Sequence, residues 1–111
     1  MDFEGEFGRL LGEFRDEVRP LEDAQEEVAA IRGHGEAADG QVRAEALPTG
    51  VLAGLRLDPR ALRMGADALA EAIVEAATLA ASDVTAKVTE RMSEALAPYV
   101  DQAGRFLDGL R

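Results

Sequence analysis

The sequence contains no cysteine, one histidine (His34) and one lysine (Lys87). Without cysteine there is no disulfide framework, no thiolate zinc site and no cysteine nucleophile. A single histidine excludes multi-histidine metal sites and argues against triad hydrolysis. Only five residues are aromatic, so large side chains to fill a core are scarce. No apolar run approaches the ~18–20 residues that a membrane span requires. The start Met1-Asp2-Phe3-Glu4 has none of the basic character of a signal peptide. These absences lead us to expect a cytoplasmic protein with no membrane segment.

What is present is acid and alanine. The 111 residues hold 22 acids against 12 bases, a net charge of −10. That balance favours solubility and opposes bulk attraction to polyanions. The length suits one domain and a core that buries ~65% of the unfolded surface, so neither metal nor disulfide is needed to fold. Twenty-one residues are alanine and eleven of the twelve bases are arginine. Alanine favours helix but buries little surface, which predicts closely packed helices on a thin sheet. The charge is uneven, at −7 over residues 1–36, +1 over 37–65 and −4 over 66–111. The middle alone is not acidic.

The first segment has helical period. Phe7, Phe14, Leu21 and Val28 recur every seven residues, with Leu10, Leu11, Val18 and Ala24 on the same face. This stripe fits a seam between subunits or packing on the protein's own sheet. Pro20 predicts a kink, or a second helix starting there. Gly33 to Gly40 reads as a flexible stretch that ends the helix and holds His34 as an exposed loop residue. Val42, Ala44 and Ala46 then alternate with Gln41, Arg43 and Glu45, the two-residue period of a half-buried strand. Pro48-Thr49-Gly50 supplies a turn. The return strand, Val51 to Leu57, is expected to point Val51, Ala53, Leu55 and Leu57 inward. A further short strand is possible near Ala29 to Arg32. Asp58-Pro59 is a helix start, with the carboxylate as cap and proline in the first turn. A short turn to Met64 stops at Gly65. The long helix from about Ala66 carries Leu69, Ile73, Ala76, Ala77, Ala80, Val84, Val88, Met92 and Leu96. Pro98 is expected to end it, leaving a short helical tail with Tyr99, Phe106, Leu107 and Leu110.

No local motif sets up catalysis. Asp67, Glu71 and Glu75 share a helix face, but a hard cation needs more oxygen ligands than they provide. The glycines at 33 and 35 lack the strand-then-helix context of a phosphate-cradling loop. We therefore expect no enzyme, no metal, no cofactor and no small-molecule substrate. The arginines are more informative. Arg43 and Arg56 share a strand face, and Arg60 and Arg63 follow beyond it. Guanidinium groups in such an island suit phosphate oxygens, or else pair with Glu45, Asp58 or the acidic first helix. Arg15 and Arg19, like Lys87 and Arg91, lie one helical turn apart among acids, as surface salt bridges do.

The order of these elements resembles the YbaB/EbfC family of nucleoid-associated proteins. The resemblance is carried by Asp39-Gly40-Gln41-Val42, by Gly54-Leu55-Arg56-Leu57-Asp58-Pro59, and by Leu69-Ala70-Glu71-Ala72-Ile73-Val74-Glu75-Ala76-Ala77, the last in the actinobacterial style. It covers about residues 20–95, the core of a single 1–111 domain with a tail at 98–111. It implies an α+β homodimer with a small antiparallel sheet of two to three strands and projecting helices that straddle duplex DNA like tweezers. It also implies weak sequence specificity and a place in the nucleoid. Contacts in the family are attributed to basic residues on the first and last helices, here including Arg9, Arg15, Arg19, Lys87, Arg91 and Arg105. The candidate DNA contacts are therefore Arg43, Arg56, Arg60, Arg63, Arg15, Arg19, Lys87 and Arg91. The candidate dimer or partner interface is Phe7, Phe14, Leu21, Val42 and Leu55. The sequence departs from the family in its acidic first helix with Pro20 and in a C-terminus that is longer and not glycine-rich. Some actinobacterial relatives lie beside type VII secretion genes. The alternative is therefore a DNA-independent adaptor docking through exposed apolar helix faces.

Overall fold

The computed structural model describes residues 3–110. The elements run in the order α1 (Phe3–Ala30), β1 (Gly33–Ala37), β2 (Val42–Ala46), β3 (Leu52–Leu57), a 3-10 turn (Pro59–Met64) and α2 (Ala66–Gly109), with α2 packed on the sheet and α1 on α2. The strands form one antiparallel sheet in the order β1-β2-β3. The fold is α+β, as expected.

The segment expected to be a flexible loop is instead strand β1. Its burial alternates, with Gly33, Gly35 and Ala37 inward and His34 and Glu36 outward. The glycines are there for space rather than freedom. A Cβ on Gly33 would lie 2.6 Å from the Val84 amide nitrogen, and one on Gly35 would overlap the Ala76 carbonyl oxygen. Two glycines two residues apart thus let the backbone of α2 lie directly on β1. The four-residue connection to β2 turns through left-handed backbone at Ala38, Asp39 and Gly40. No strand forms at Ala29 to Arg32, since α1 runs to Ala30.

Neither proline breaks its helix. Pro20 lies within the 28 residues of α1 and Pro98 within the 44 residues of α2. The separate tail expected after Pro98 is therefore absent, and α2 continues to Gly109. A helix-interior proline loses one hydrogen bond and crowds the preceding turn, yet good helix formers continue the helix beyond it, Leu21, Glu22 and Ala24 after Pro20 and alanines at 95, 97 and 103 around Pro98. The two prolines also face each other, lining with Ala95, Tyr99 and Gln102 a depression of about 430 Å³ between the helices.

The core is small and made mostly of alanine. Val42 and Val84 are its largest fully buried side chains, among Ala37, Ala44, Ala46, Ala61, Ala72, Ala76 and Ala80. Asp83 on α2 accepts the His34 backbone amide (2.8 Å), so a helix side chain satisfies part of the β1 edge. Strand β3 is treated differently. A register shift between Glu45 and Ala46 sets Leu52, rather than Ala53, opposite Ala46. Leu55 and Leu57 pair with Ala44 and Val42 and so share the helix-facing side, but α2 lies over β1 and β2. The inward set expected on this strand is thus corrected in phase and in burial: Val51, Leu52, Leu55 and Leu57 are all exposed, at 58%, 43%, 39% and 36%.

Candidate nucleic-acid interface

A three-stranded sheet covered on one side by a helix presents its other side to solvent. Here that side carries two cross-strand rows. In one, Glu36, Arg43 and Arg56 stand side by side; in the other, His34, Glu45 and Gly54 do. All but Glu36 border a shallow depression of about 450 Å³, also lined by Ala44 and Leu55. The absence of a side chain at Gly54 opens the floor beside Glu45 and Arg56.

Arg43 donates to the Gly40 carbonyl (3.2 Å) and stands 3.4 Å from Glu36. It is held by its own hairpin yet remains exposed. Arg56 and Arg63 make no ion pair among the described residues, and Arg15 and Arg19 on α1 make none either. The sequence grouped Arg60 with this island, but Asp58 takes both its backbone amide (2.9 Å) and its guanidinium (3.2 Å from Nε). That pairing holds the Asp58 carboxyl below its ordinary value, through the Arg60 side chain and then its amide. It also raises the Arg60 guanidinium. Lys87 bonds Asp83 at 2.8 Å and the Arg32 carbonyl at 3.2 Å. Asp83 is held below its usual range by Lys87 first and the His34 amide second. Arg91 pairs with Glu27 and ties α2 to α1, which lowers the Glu27 carboxyl. The eight candidate cations thus divide: Arg43 and Arg56 adjoin on one open surface, whereas Arg60, Lys87 and Arg91 are engaged within the fold.

The interface candidates also divide. Val42 is fully enclosed beneath α2, a core residue with no surface to offer. Leu21 is half-buried, Phe7 is 56% exposed and Leu55 lies on the uncovered part of β3. The Phe14 side chain falls outside the described residues. Sequence reasoning missed His34, placing it in a loop; it stands on the open sheet face, its Nε2 4.0 Å from Glu45. The signal was available, because Gly33 to Ala37 alternates in the same two-residue period as β2. Among the described residues no cluster of acids and histidine could hold a metal ion, and no helix is long and apolar enough to cross a membrane.

A family model for the YbaB/EbfC DNA-binding family matches residues 4–99. The chain belongs to that family. This YbaB/EbfC member shares its fold with the uncharacterized protein HP0035 from Helicobacter pylori, at a TM-score of 0.51 and 20% identity. That similarity covers 73% of this chain and 92% of the other. No curated protein matches the chain significantly. The family match stops at Tyr99, whereas α2 of this member runs ten residues further, to Gly109.

Proposed function

We propose that this YbaB/EbfC protein binds duplex DNA with little sequence preference, as a homodimer in the bacterial nucleoid, through arginine contacts to phosphates. Its role is structural rather than enzymatic, without cofactor, small-molecule substrate or membrane. The observation that carries this reading is the pairing of Arg43 with Arg56 on an uncovered sheet face, with Arg56 free of any acid among the described residues. Guanidinium groups there reach phosphate oxygens without first leaving a buried partner. Arg63, Arg15 and Arg19 are secondary contacts. Arg60, Lys87 and Arg91 contribute field more than contact, because each is already hydrogen-bonded to a carboxylate.

The dimer reading is supported by β3. The Asp58 amide donates to the Gln41 carbonyl (2.8 Å), which makes 41 and 58 a closely bonded pair. By the alternation of an antiparallel ladder, Leu55 and Leu57 then direct their own amides and carbonyls to the free edge. An edge strand with exposed leucines is a template for pairing with another strand. A two-fold axis beside β3 continues the sheet into the partner and brings two Arg43–Arg56 pairs onto one surface.

Anisotropy titration of a labelled duplex at low salt tests this reading. Binding that weakens steeply with salt and is lost in Arg43→Ala/Arg56→Ala supports it. Binding that the double variant retains removes the sheet face from the interface. The adaptor reading rests on a different observation, the exposed apolar residues Phe7, Leu10, Phe106 and Leu110 on the helices. Protein partners that stay bound to the native protein after nuclease treatment favour it; partners released with the DNA favour DNA binding.

A further inference from the structure

The helical arm beyond the sheet has a surface that the DNA reading leaves unused. Past the Arg91–Glu27 pair, α1 and α2 run on as an antiparallel arm of a flat molecule measuring 77 × 39 × 15 Å. On α2, Met92, Leu96, Tyr99, Ala103, Phe106 and Leu110 follow one another in alternating steps of four and three. That is the spacing of a helix seam. On α1, Phe7 and Leu11 open a run of the same spacing. Much of both seams stays open to solvent: Phe7, Leu96, Phe106 and Leu110 are 56%, 42%, 69% and 68% exposed.

The two seams lie on one side of the arm. Each residue advances a helix by about 100°. Counted from the contact marked by Ala24 and Arg91, Phe7 and Leu11 turn to the same flank of the antiparallel pair as Leu96, Phe106 and Leu110. Asp16 and Asp23 with Arg9 and Arg19 of α1, and Glu94, Asp101 and Asp108 with Arg105 of α2, turn to the opposite flank. The arm is therefore amphipathic as a pair, apolar on one broad face and charged, with acids in excess, on the other.

We propose that this apolar face is a self-association surface, on which the arm of a second copy packs face to face. The charge distribution selects that occupant. Two arms joined this way direct both acidic flanks outward to solvent, while no acid interrupts the seam of α2 between Met92 and Leu110. From Met92 to Leu110 the seam is about 27 Å long. Two helices 8–10 Å apart make it about 20 Å wide. The joined surface is then on the order of 1,000 Å² in total, at the lower limit for a specific interface, so the association is reversible. It is separate from the β3 edge. Its distal half, from residue 100 onward, lies beyond the family match and belongs to this chain's own extension.

Sedimentation velocity of the full chain over a wide concentration range tests the proposal, with far-UV circular dichroism as the fold control. The expected result is a concentration-dependent doubling of mass that Phe106→Glu/Leu110→Glu abolishes without loss of helix, and that Phe7→Glu weakens on its own. A Leu55→Glu variant, aimed at the β3 edge, keeps this doubling step, so failure of the β3 dimer is read separately. Raising salt leaves the step unchanged or strengthens it, because the seam is apolar and salt screens the acidic flanks. A wild-type chain with no such step overturns the proposal. So does a step that the double variant retains, or one that salt dissolves.

Discussion

Replacing Gly33 or Gly35 by alanine reports whether this segment is a spacer or a flexible loop. A Cβ on Gly33 meets the Val84 Cβ and amide nitrogen, both at 2.6 Å, and one on Gly35 meets the Ala80 nitrogen at 2.5 Å and the Leu79 Cβ at 2.8 Å. Ordinary carbon contacts sit near ~3.5–4.0 Å, so sheet and helix must separate by about 1 Å. The obstructing atoms are largely the backbone of a continuous helix and cannot swing aside. A gap of that size forfeits about a quarter to a half of the dispersion attraction at each contact it opens. The alanine core has no long side chain with which to refill it. Overpacking of this kind costs about 1–3 kcal/mol, against about 0.4–1 kcal/mol gained by restricting the unfolded chain. Net destabilisation of about 1.3 kcal/mol lowers Tm by roughly 5–10 °C for a domain of this size. Thermal unfolding followed by circular dichroism, at one protein concentration because self-association shifts Tm, measures it. Gly12→Ala is the control. Nothing lies within 4 Å of its added carbon, and a helix-interior glycine so replaced gains about 0.5–1 kcal/mol. If Gly33→Ala and Gly35→Ala behave like that control, the close-packing account is wrong.

Further outcomes follow from the ion pairs and the open edge. Asp83→Asn is less stable than the wild type at neutral pH. Asp83 titrates below its ordinary value of 3.8 in the folded chain, so its contribution is present above that pH and fades as pH falls through the depressed folded value. The difference in Tm between the two proteins therefore closes on acidification below about pH 4; a difference independent of pH refutes the Lys87–Asp83–His34 arrangement as its source. Leu55→Glu, on the uncovered side of β3, halves the mass of the proposed dimer while the helical signal persists; an unchanged mass removes β3 from the interface.

Much of this fold could be read directly. The two-residue alternation from Val42 to Ala46 is strand β2, Asp58 caps the Pro59 turn as the dipeptide predicts, and the apolar line from Leu69 to Val88 is the buried face of α2. What could not be read shares one cause: local residue preference was outweighed by packing. Gly33 and Gly35 look like loop residues until a helix backbone is laid over them. Pro20 and Pro98 look like terminators, yet both helices run through them. The inward face of β3 was misjudged in phase because a register shift at Glu45 cannot be seen from spacing. It was misjudged in burial because nothing in the sequence says how far α2 extends over the sheet. For the site, alternation brought Arg43 and Arg56 to one face correctly. Proximity in sequence did not reveal that Arg60 turns back to Asp58, two residues away, or that Arg91 reaches Glu27 across the helix pair. His34 was lost with the loop that contained it.

The central claim is that a protein of net charge −10 binds DNA through a local arginine surface. The most direct measurement is duplex affinity as a function of salt, for the wild type and for Arg43→Ala/Arg56→Ala. Each phosphate contact contributes about −0.9 to the slope of log K against log salt. Two arginines from each of two subunits therefore predict a slope of roughly −3 to −4, lost together with low-salt binding in the double variant. No binding at low salt, or a slope that the double variant leaves unchanged, would contradict the account.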